Sequence, residues 1–223
     1  MNEIEVHTMK KILSANDRIA GQLRDELRSR GILLVNVMSS PGSGKTSLIE
    51  ETVKRLPVKV AVIEGDIQTS LDAERLARLG IQTVQINTGP FGGDCHLEAS
   101  WVRDALAELT LDGVGLLFVE NIGNLVCPAE FDIGAHQNVL LISVTEGEDK
   151  PLKYPLAFSV SQTAVITKID LLSHLSGFSV ERLKENIRRT NPGIQILDVS
   201  SRSGAGLQQW IDYLGKVLVE LKN

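Results

Sequence analysis

Residues 31–50, GILLVNVMSSPGSGKTSLIE, constrain this chain more than any other stretch. An apolar run over residues 32–38 leads into a glycine- and serine-rich turn, and then Gly44-Lys45-Thr46 opens a helix. A turn built from Pro41, Gly42, Ser43 and Gly44 lets backbone N–H groups surround phosphate oxygens with no bulky side chain in the way. The positive end of the following helix adds to the field. Lys45 is placed to reach the β- and γ-phosphates, the Thr46 hydroxyl to bind Mg²⁺, and Ser47 to line the same site. The usual spacing is G-x-x-x-x-G-K-S/T, and here Ser39 stands at the first glycine. That departure touches the entry to the turn and leaves the cradle intact. A glycine-rich loop without a ligand explains neither the buried strand before it nor the Lys-Thr pair after it. The stretch predicts a nucleoside triphosphate site.

At 223 residues the chain has the length of one well-cored domain, residues 1–223, with residues 1–30 as a flanking N-terminal helix. That first helix carries Met9, Ile12, Leu13, Ile19, Leu23 and Leu27 on one stripe and stops at Gly31. Beyond the phosphate loop, apolar runs at residues 58–64, 83–87, 114–119, 139–144, 163–166 and 194–199 alternate with helical patterns. The helical patterns cover residues 71–79, 98–109, 180–190 and 207–221. Continuous apolar strands alternating with helices predict an α/β fold of three layers, a mainly parallel central sheet with helices on both faces. A net charge of −5 argues against nucleic-acid or anionic-membrane partners. No apolar run approaches the ~20 residues of a membrane span, and the first residues resemble neither a signal nor a transit peptide. Two cysteines make no disulfide framework, so a reducing cytoplasm is the expected setting.

In such a sheet the ligand lies at the carboxyl ends of the strands. Asp66 closes the second strand, and Glu120-Asn121-Ile122-Gly123 follows the strand of residues 114–119. A carboxylate there can hold Mg²⁺ or orient an attacking water, and a Gly123 N–H can meet the γ-phosphate. Either carboxylate alone is equally well a loop cap; two together favour the site. Asp72 reads equally as a helix start or a catalytic group. Thr167-Lys168-Ile169-Asp170 again follows a strand. A carboxylate only accepts hydrogen bonds. Asp170 therefore matches the two adjacent donors of guanine and mismatches adenine, while the Lys168 stem lies along the base. Ser200, Ser201 and Arg202, after the last strand, are candidates to offer backbone N–H groups to the guanine oxygen.

Together SSPGSGKT, Asp66, ENIG and TKID resemble the signature set of P-loop GTPases. Thr167 stands where most such proteins have Asn, and Glu120 where most have Asp. Glu at that place is similar to the GTPases that dimerise around nucleotide and serve metallocentre assembly.

The cysteines, Cys95 and Cys127, are both in informative settings: Cys95 directly precedes His96, and Cys127 lies four residues past Gly123. Two thiolates and an imidazole suit Ni²⁺ or Zn²⁺. Three ligands fall short of a closed tetrahedral zinc site, which implies an open site or one completed by a second copy of the chain. The bland reading is two small core cysteines. GPFGGDCHLEAS, ENIGNLVCPAEFDIG and SVTEGEDKPLKYP resemble the HypB family, the nickel-incorporation GTPases of NiFe-hydrogenase maturation among the metallochaperone P-loop GTPases.

The resemblance implies a slow GTPase, using GTP/GDP and Mg²⁺, that forms a homodimer on GTP or metal binding and holds nickel or zinc at the interface. It implies a nickel-binding accessory maturation protein and the hydrogenase large subunit as partners. It assigns Cys95, His96 and Cys127 as interface ligands. It also assigns Lys45, Thr46, Asp66 and Glu120 to the phosphates and Mg²⁺, and Lys168 and Asp170 to the base. Alternatives are a nickel GTPase for another client such as urease, a P-loop small-molecule kinase, and a metal store without turnover. His136 and His174 read as ordinary surface or helix histidines, Lys150 and Lys153 as solvated, and Trp101 and Trp210 as packing residues.

Overall fold

A computed structural model of the protein describes residues 3–66, 75–89 and 95–222. Helix α1 (Glu3–Ser29) precedes β1 (Leu33–Ser39), the phosphate loop and α2 (Lys45–Arg55). Strands β2 (Lys59–Asp66) and β3 (Gln82–Asn87), helix α3 (Ala99–Leu106) and strand β4 (Val114–Glu120) follow. Then come β5 (Gln137–Ser143), two short helices α4 (Lys150–Lys153) and α5 (Pro155–Ser159), and β6 (Thr163–Thr167). Helix α6 (Val180–Thr190), strand β7 (Gln195–Val199) and helix α7 (Leu207–Leu221) end the chain. Of the expected helix over residues 71–79, residues 75–77 are helical and 71–74 lie outside the described residues.

All seven strands run parallel in the order β3-β2-β4-β1-β5-β6-β7. Alternate residues of each strand feed opposite faces. Val35, Val37, Phe118 and Val165 pack with Leu48 and Ile49 of α2 and Trp210 and Leu214 of α7. Leu34, Leu117 and Val119 pack with Leu23 and Leu27 of α1 and Val102 and Leu106 of α3. Met38, Leu140 and Ile166 pack with Phe158 of α5 and Leu183 and Ile187 of α6. Strands buried on both sides explain the unbroken apolar runs in the sequence. Trp210 is fully buried, and its indole N–H donates to the Thr52 hydroxyl at 2.8 Å, joining α7 to α2.

Helix α1 is tied down by polar contacts that its apolar stripe did not announce. Buried Asn16 donates to the Asp132 carbonyl and accepts from the Ala99 N–H, so it caps the start of α3 from a distance. Arg24 donates to both oxygens of the Asp132 carboxylate. Leu23 and Leu27 are buried as expected; the side chains of Met9 and Ile12 lie outside the described residues.

His136 is not an ordinary surface histidine. Its backbone N–H donates to the Leu34 carbonyl, its ring Nδ1 accepts from the Leu34 N–H at 3.0 Å, and Nε2 lies 3.1 Å from the Arg24 carbonyl. The ring thereby joins the start of β1 to α1. That arrangement needs a neutral imidazole with the proton on Nε2. Burial pushes its pKa below the ordinary value of 6.5, with nearby Arg28 and Arg24 acting in the same direction. The unfolded chain then binds a proton that the folded ring refuses. Stability is complete above the unfolded pKa and falls as pH drops below it. Urea unfolding at pH ~7.5 and ~5.5 should show this loss, and His136→Gln should reduce the difference between the two pH values.

Candidate functional site

The phosphate loop leaves β1 at Ser39 and enters α2 through Gly44. Gly42 and Gly44 have φ of 72° and 98°, left-handed conformations that favour glycine. The Ser43 hydroxyl lies 2.8 Å from the Ser40 carbonyl, and the Lys45 ammonium lies 3.4 Å from the Ser39 hydroxyl, folded back over the loop. Ser39 therefore does more than replace a glycine: it gives the lysine a partner and forms a bridge with Asn124. Ser47 faces Arg75, whose guanidinium also grips Glu50.

A cleft of ≈ 460 Å³ opens beside this loop, lined in part by Ser43, Gly44, Ser47, Thr167, Lys168, Asp170, Ser201 and Arg202. It brings together residues that the sequence places more than a hundred positions apart. The buried Thr167 hydroxyl donates to the Ser43 carbonyl at 2.7 Å, and the Lys168 ammonium donates to the Gly42 carbonyl at 2.7 Å. The TKID segment is thus fastened to the phosphate loop. Lys168 has φ 60°, the only non-glycine residue with positive φ among the described residues, a strained geometry of the kind concentrated at functional sites.

Ser200 is placed differently from expectation. Its N–H is bonded to the Ala205 carbonyl, so it is not offered to a base oxygen. Its hydroxyl instead donates to Asp170 Oδ1 at 2.5 Å and fixes the carboxylate's orientation. Ser201 and Arg202 remain as the lining residues of that loop.

Glu120 closes β4 with its side chain buried, and the Thr46 hydroxyl donates to its Oε1 at 2.8 Å. The strand register aligns Glu120 with Glu64 of β2, itself 2% exposed. Two buried carboxylates on adjacent strands next to a hydroxyl form a set of hard oxygen donors, which fits Mg²⁺. Sequence reasoning placed the β2 carboxylate at Asp66. The signal for Glu64 was available: a charged residue inside an otherwise apolar parallel strand. Asp66 is the last residue of β2, and its side chain, like all of Asp72, lies outside the described residues.

The loop after Glu120 packs directly on the phosphate loop. A Cβ added to Gly123 would lie 3.0–3.2 Å from Pro41 atoms, backbone included, so a larger residue would push the two loops apart by a few tenths of an ångström. Sequence reasoning missed what stands behind the loop. The Ile122 N–H donates to the Asn121 side chain, Asn121 to Asn36 of β1, Asn36 to Asn138 of β5, and Asn138 to the Val160 carbonyl at the end of α5. This chain satisfies amides that burial would otherwise make costly.

The structure joins Cys95 to Cys127 as a disulfide, their Cα atoms 6.0 Å apart. The pairing of distant cysteines was not expected from a two-cysteine chain, yet it brings the two sulfurs together. His96 is engaged with an aromatic neighbour. Its ring stacks on Phe131 at 3.8 Å, and its buried Nε2 makes no hydrogen bond, with Glu98 at 4.0 Å. Among the described residues no group of three His, Cys, Asp or Glu side chains is arranged to hold a metal ion. Nor is any helix among them long and apolar enough to cross a membrane.

Comparison with known proteins places these observations in a family context. Residues 33–198 match the family described as CobW/HypB/UreG, nucleotide-binding domain. The chain is 46% identical over 216 residues to the hydrogenase maturation factor HypB of Escherichia coli K12, covering 96% of this chain and 72% of the relative. It is 38% identical over 218 residues to the hydrogenase/urease maturation factor HypB of Helicobacter hepaticus, covering 96% and 88%. The crystal structure of HypB from Helicobacter pylori in complex with nickel superposes with a TM-score of 0.87 at 37% identity, covering 92% of this chain and 96% of that one.

The attachment of Thr167 to Ser43 is testable without a ligand. Thr167→Val keeps the shape and removes the hydroxyl, leaving a buried carbonyl without its donor. A loss of about 1–3 kcal/mol is expected, read as a lower urea midpoint at unchanged slope.

Proposed function

The chain belongs to the HypB members of the CobW/HypB/UreG family, and on that footing we propose that it is a GTP-hydrolysing nickel metallochaperone for the NiFe-hydrogenase large subunit. The observation that carries the reading is the seating of Gly123 on Pro41. The segment that would meet the γ-phosphate touches the phosphate loop at one end and reaches Cys127 four residues later.

Asp170, held by Ser200, presents acceptors to the paired donors of guanine. Lys45 and the N–H groups of residues 42–46 bind the phosphates. Mg²⁺, held by Thr46 with Glu120 and the β2 carboxylates Glu64 or Asp66, supplies neutralisation of charge on the transferring phosphoryl group. The enclosed carboxylates orient water for an in-line displacement, with no covalent intermediate. Asp72 stays a candidate for that orientation.

Nickel is cargo. Cys95 and Cys127 bind it as thiolates once a dithiol reductant has opened the disulfide, giving up two electrons and two protons and becoming a disulfide itself, and His96 completes the set after its ring leaves Phe131. Zinc satisfies the same ligands. Val126, exposed beside Ser40 and Pro41 of the phosphate loop, supports a homodimer formed on GTP or metal binding. The accessory nickel-binding protein and the large subunit are the proposed partners, in the cytoplasm. The name of the Helicobacter hepaticus relative favours urease as a second client.

Two experiments test this reading. Asp170→Asn replaces one acceptor by a donor, so affinity for GTP should fall at least about tenfold while affinity for xanthosine triphosphate rises. Nickel affinity of the reduced protein should differ between its GDP form and a non-hydrolysable GTP form. Cys127→Ala should remove both nickel binding and metal-promoted dimers in sedimentation. Equal nickel affinities in the two nucleotide forms would end the coupling.

A further inference from the structure

Glu146 is a largely buried carboxylate with no role in the site as drawn so far. Its side chain is 13% exposed and sits in the turn after β5, with Oε1 accepting from the Ser143 N–H at 2.8 Å and from the Ser43 hydroxyl at 2.7 Å. Oε2 is buried without a hydrogen bond, and the Lys150 ammonium stands 3.9 Å from it. Lys150 opens α4 and also lies over the Tyr154 ring at 5.1 Å.

A buried carboxylate beside a loop built to receive a polyanion needs a reason. Loss of solvation and repulsion of the incoming phosphates both act against it. Ser43 supplies the reason. It lies between Gly42 and Gly44, both in left-handed conformations, so its two neighbours impose little restriction on it. The Thr167 hydroxyl holds its carbonyl and Glu146 holds its hydroxyl, from the ends of the neighbouring strands β6 and β5. The accepting oxygen makes the tie, and the Lys150 ammonium nearby offsets part of the side chain's charge.

We propose that Glu146 is a positioning residue for nucleotide binding: it pre-orders the phosphate loop through Ser43, so that less freedom is lost when the phosphates arrive. The proposal rests on the guanine-nucleotide reading above. Pre-ordering lowers the cost of binding and leaves the reacting groups alone. Loss of the tie therefore moves affinity and KM, with little change in kcat.

The test uses the full chain, GDP binding by calorimetry and steady-state GTP hydrolysis. Glu146→Ala should raise the GDP Kd and the GTP KM roughly tenfold, with kcat within about threefold of wild type. Glu146→Gln keeps the accepting oxygen and should stay within about threefold on every constant. Ser43→Ala should weaken binding like Glu146→Ala, and the double variant should bind no worse than the weaker single one. Should Glu146→Ala fail to fold, Glu146→Asp withdraws the carboxylate from Ser43 by one methylene and should raise the same two constants. Unchanged GDP affinity in these variants, a loss confined to kcat, or multiplicative effects in the double variant would overturn the proposal. A wild-type protein that binds no guanine nucleotide would instead refute the reading of the preceding subsection.

Discussion

The phosphate loop cannot hold itself in place. Its backbone leaves the sheet after Ser39, two of its residues occupy left-handed conformations, and its N–H groups must stay free for a ligand. What remains for anchoring is its carbonyls and side chains, and the surrounding structure takes hold of those. Thr167 and Lys168 grip the Ser43 and Gly42 carbonyls, Asn124 bridges to Ser39, and Gly123 closes on Pro41. These contacts arrive from the ends of two strands, β6 and β4, on either side of β1 in the sheet. The parallel sheet matters to this site chiefly because it delivers those ends to one edge.

The same need explains the polar groups inside the sheet. Asn36, inside β1, and Asn121, directly after β4, are each 1% exposed. Linked amide to amide from Ile122 to Val160, they let the loop after β4 and the end of α5 share one hydrogen-bonded path. A fully satisfied network of this kind costs little and specifies one arrangement. At the opposite edge His136 performs a comparable service, standing in for ladder partners at the start of β1 and fastening α1.

In the proposed metal site the fold brings the two sulfurs together and stacks the imidazole on a neighbouring ring. Cys95 and Cys127 come from segments 32 residues apart, and the Asn124 amide lies 3.5 Å from the Cys95 carbonyl between them. His96 is occupied with Phe131. The bonded cysteines and the stacked histidine describe a closed arrangement, and nickel ligation in the proposed function requires that both be undone.

Periodicity and glycine placement in the sequence by itself determined the strand–helix alternation, the phosphate loop and the candidate base-reading segment. These rest on local rules: buried parallel strands read as unbroken apolar runs, and a phosphate turn demands small residues before Lys-Thr. The Asn16 cap on α3, the role of His136, the alignment of Glu64 with Glu120 and the joining of the cysteines were decided only by tertiary structure. Each depends on strand order and register, which bring together residues 32 to 102 positions apart with nothing in their local sequence to mark the pairing. Ser200 illustrates the difference: its position after the last strand was readable. Whether its N–H or its hydroxyl faced the site turned on the Ala205 carbonyl, which folding places against that N–H.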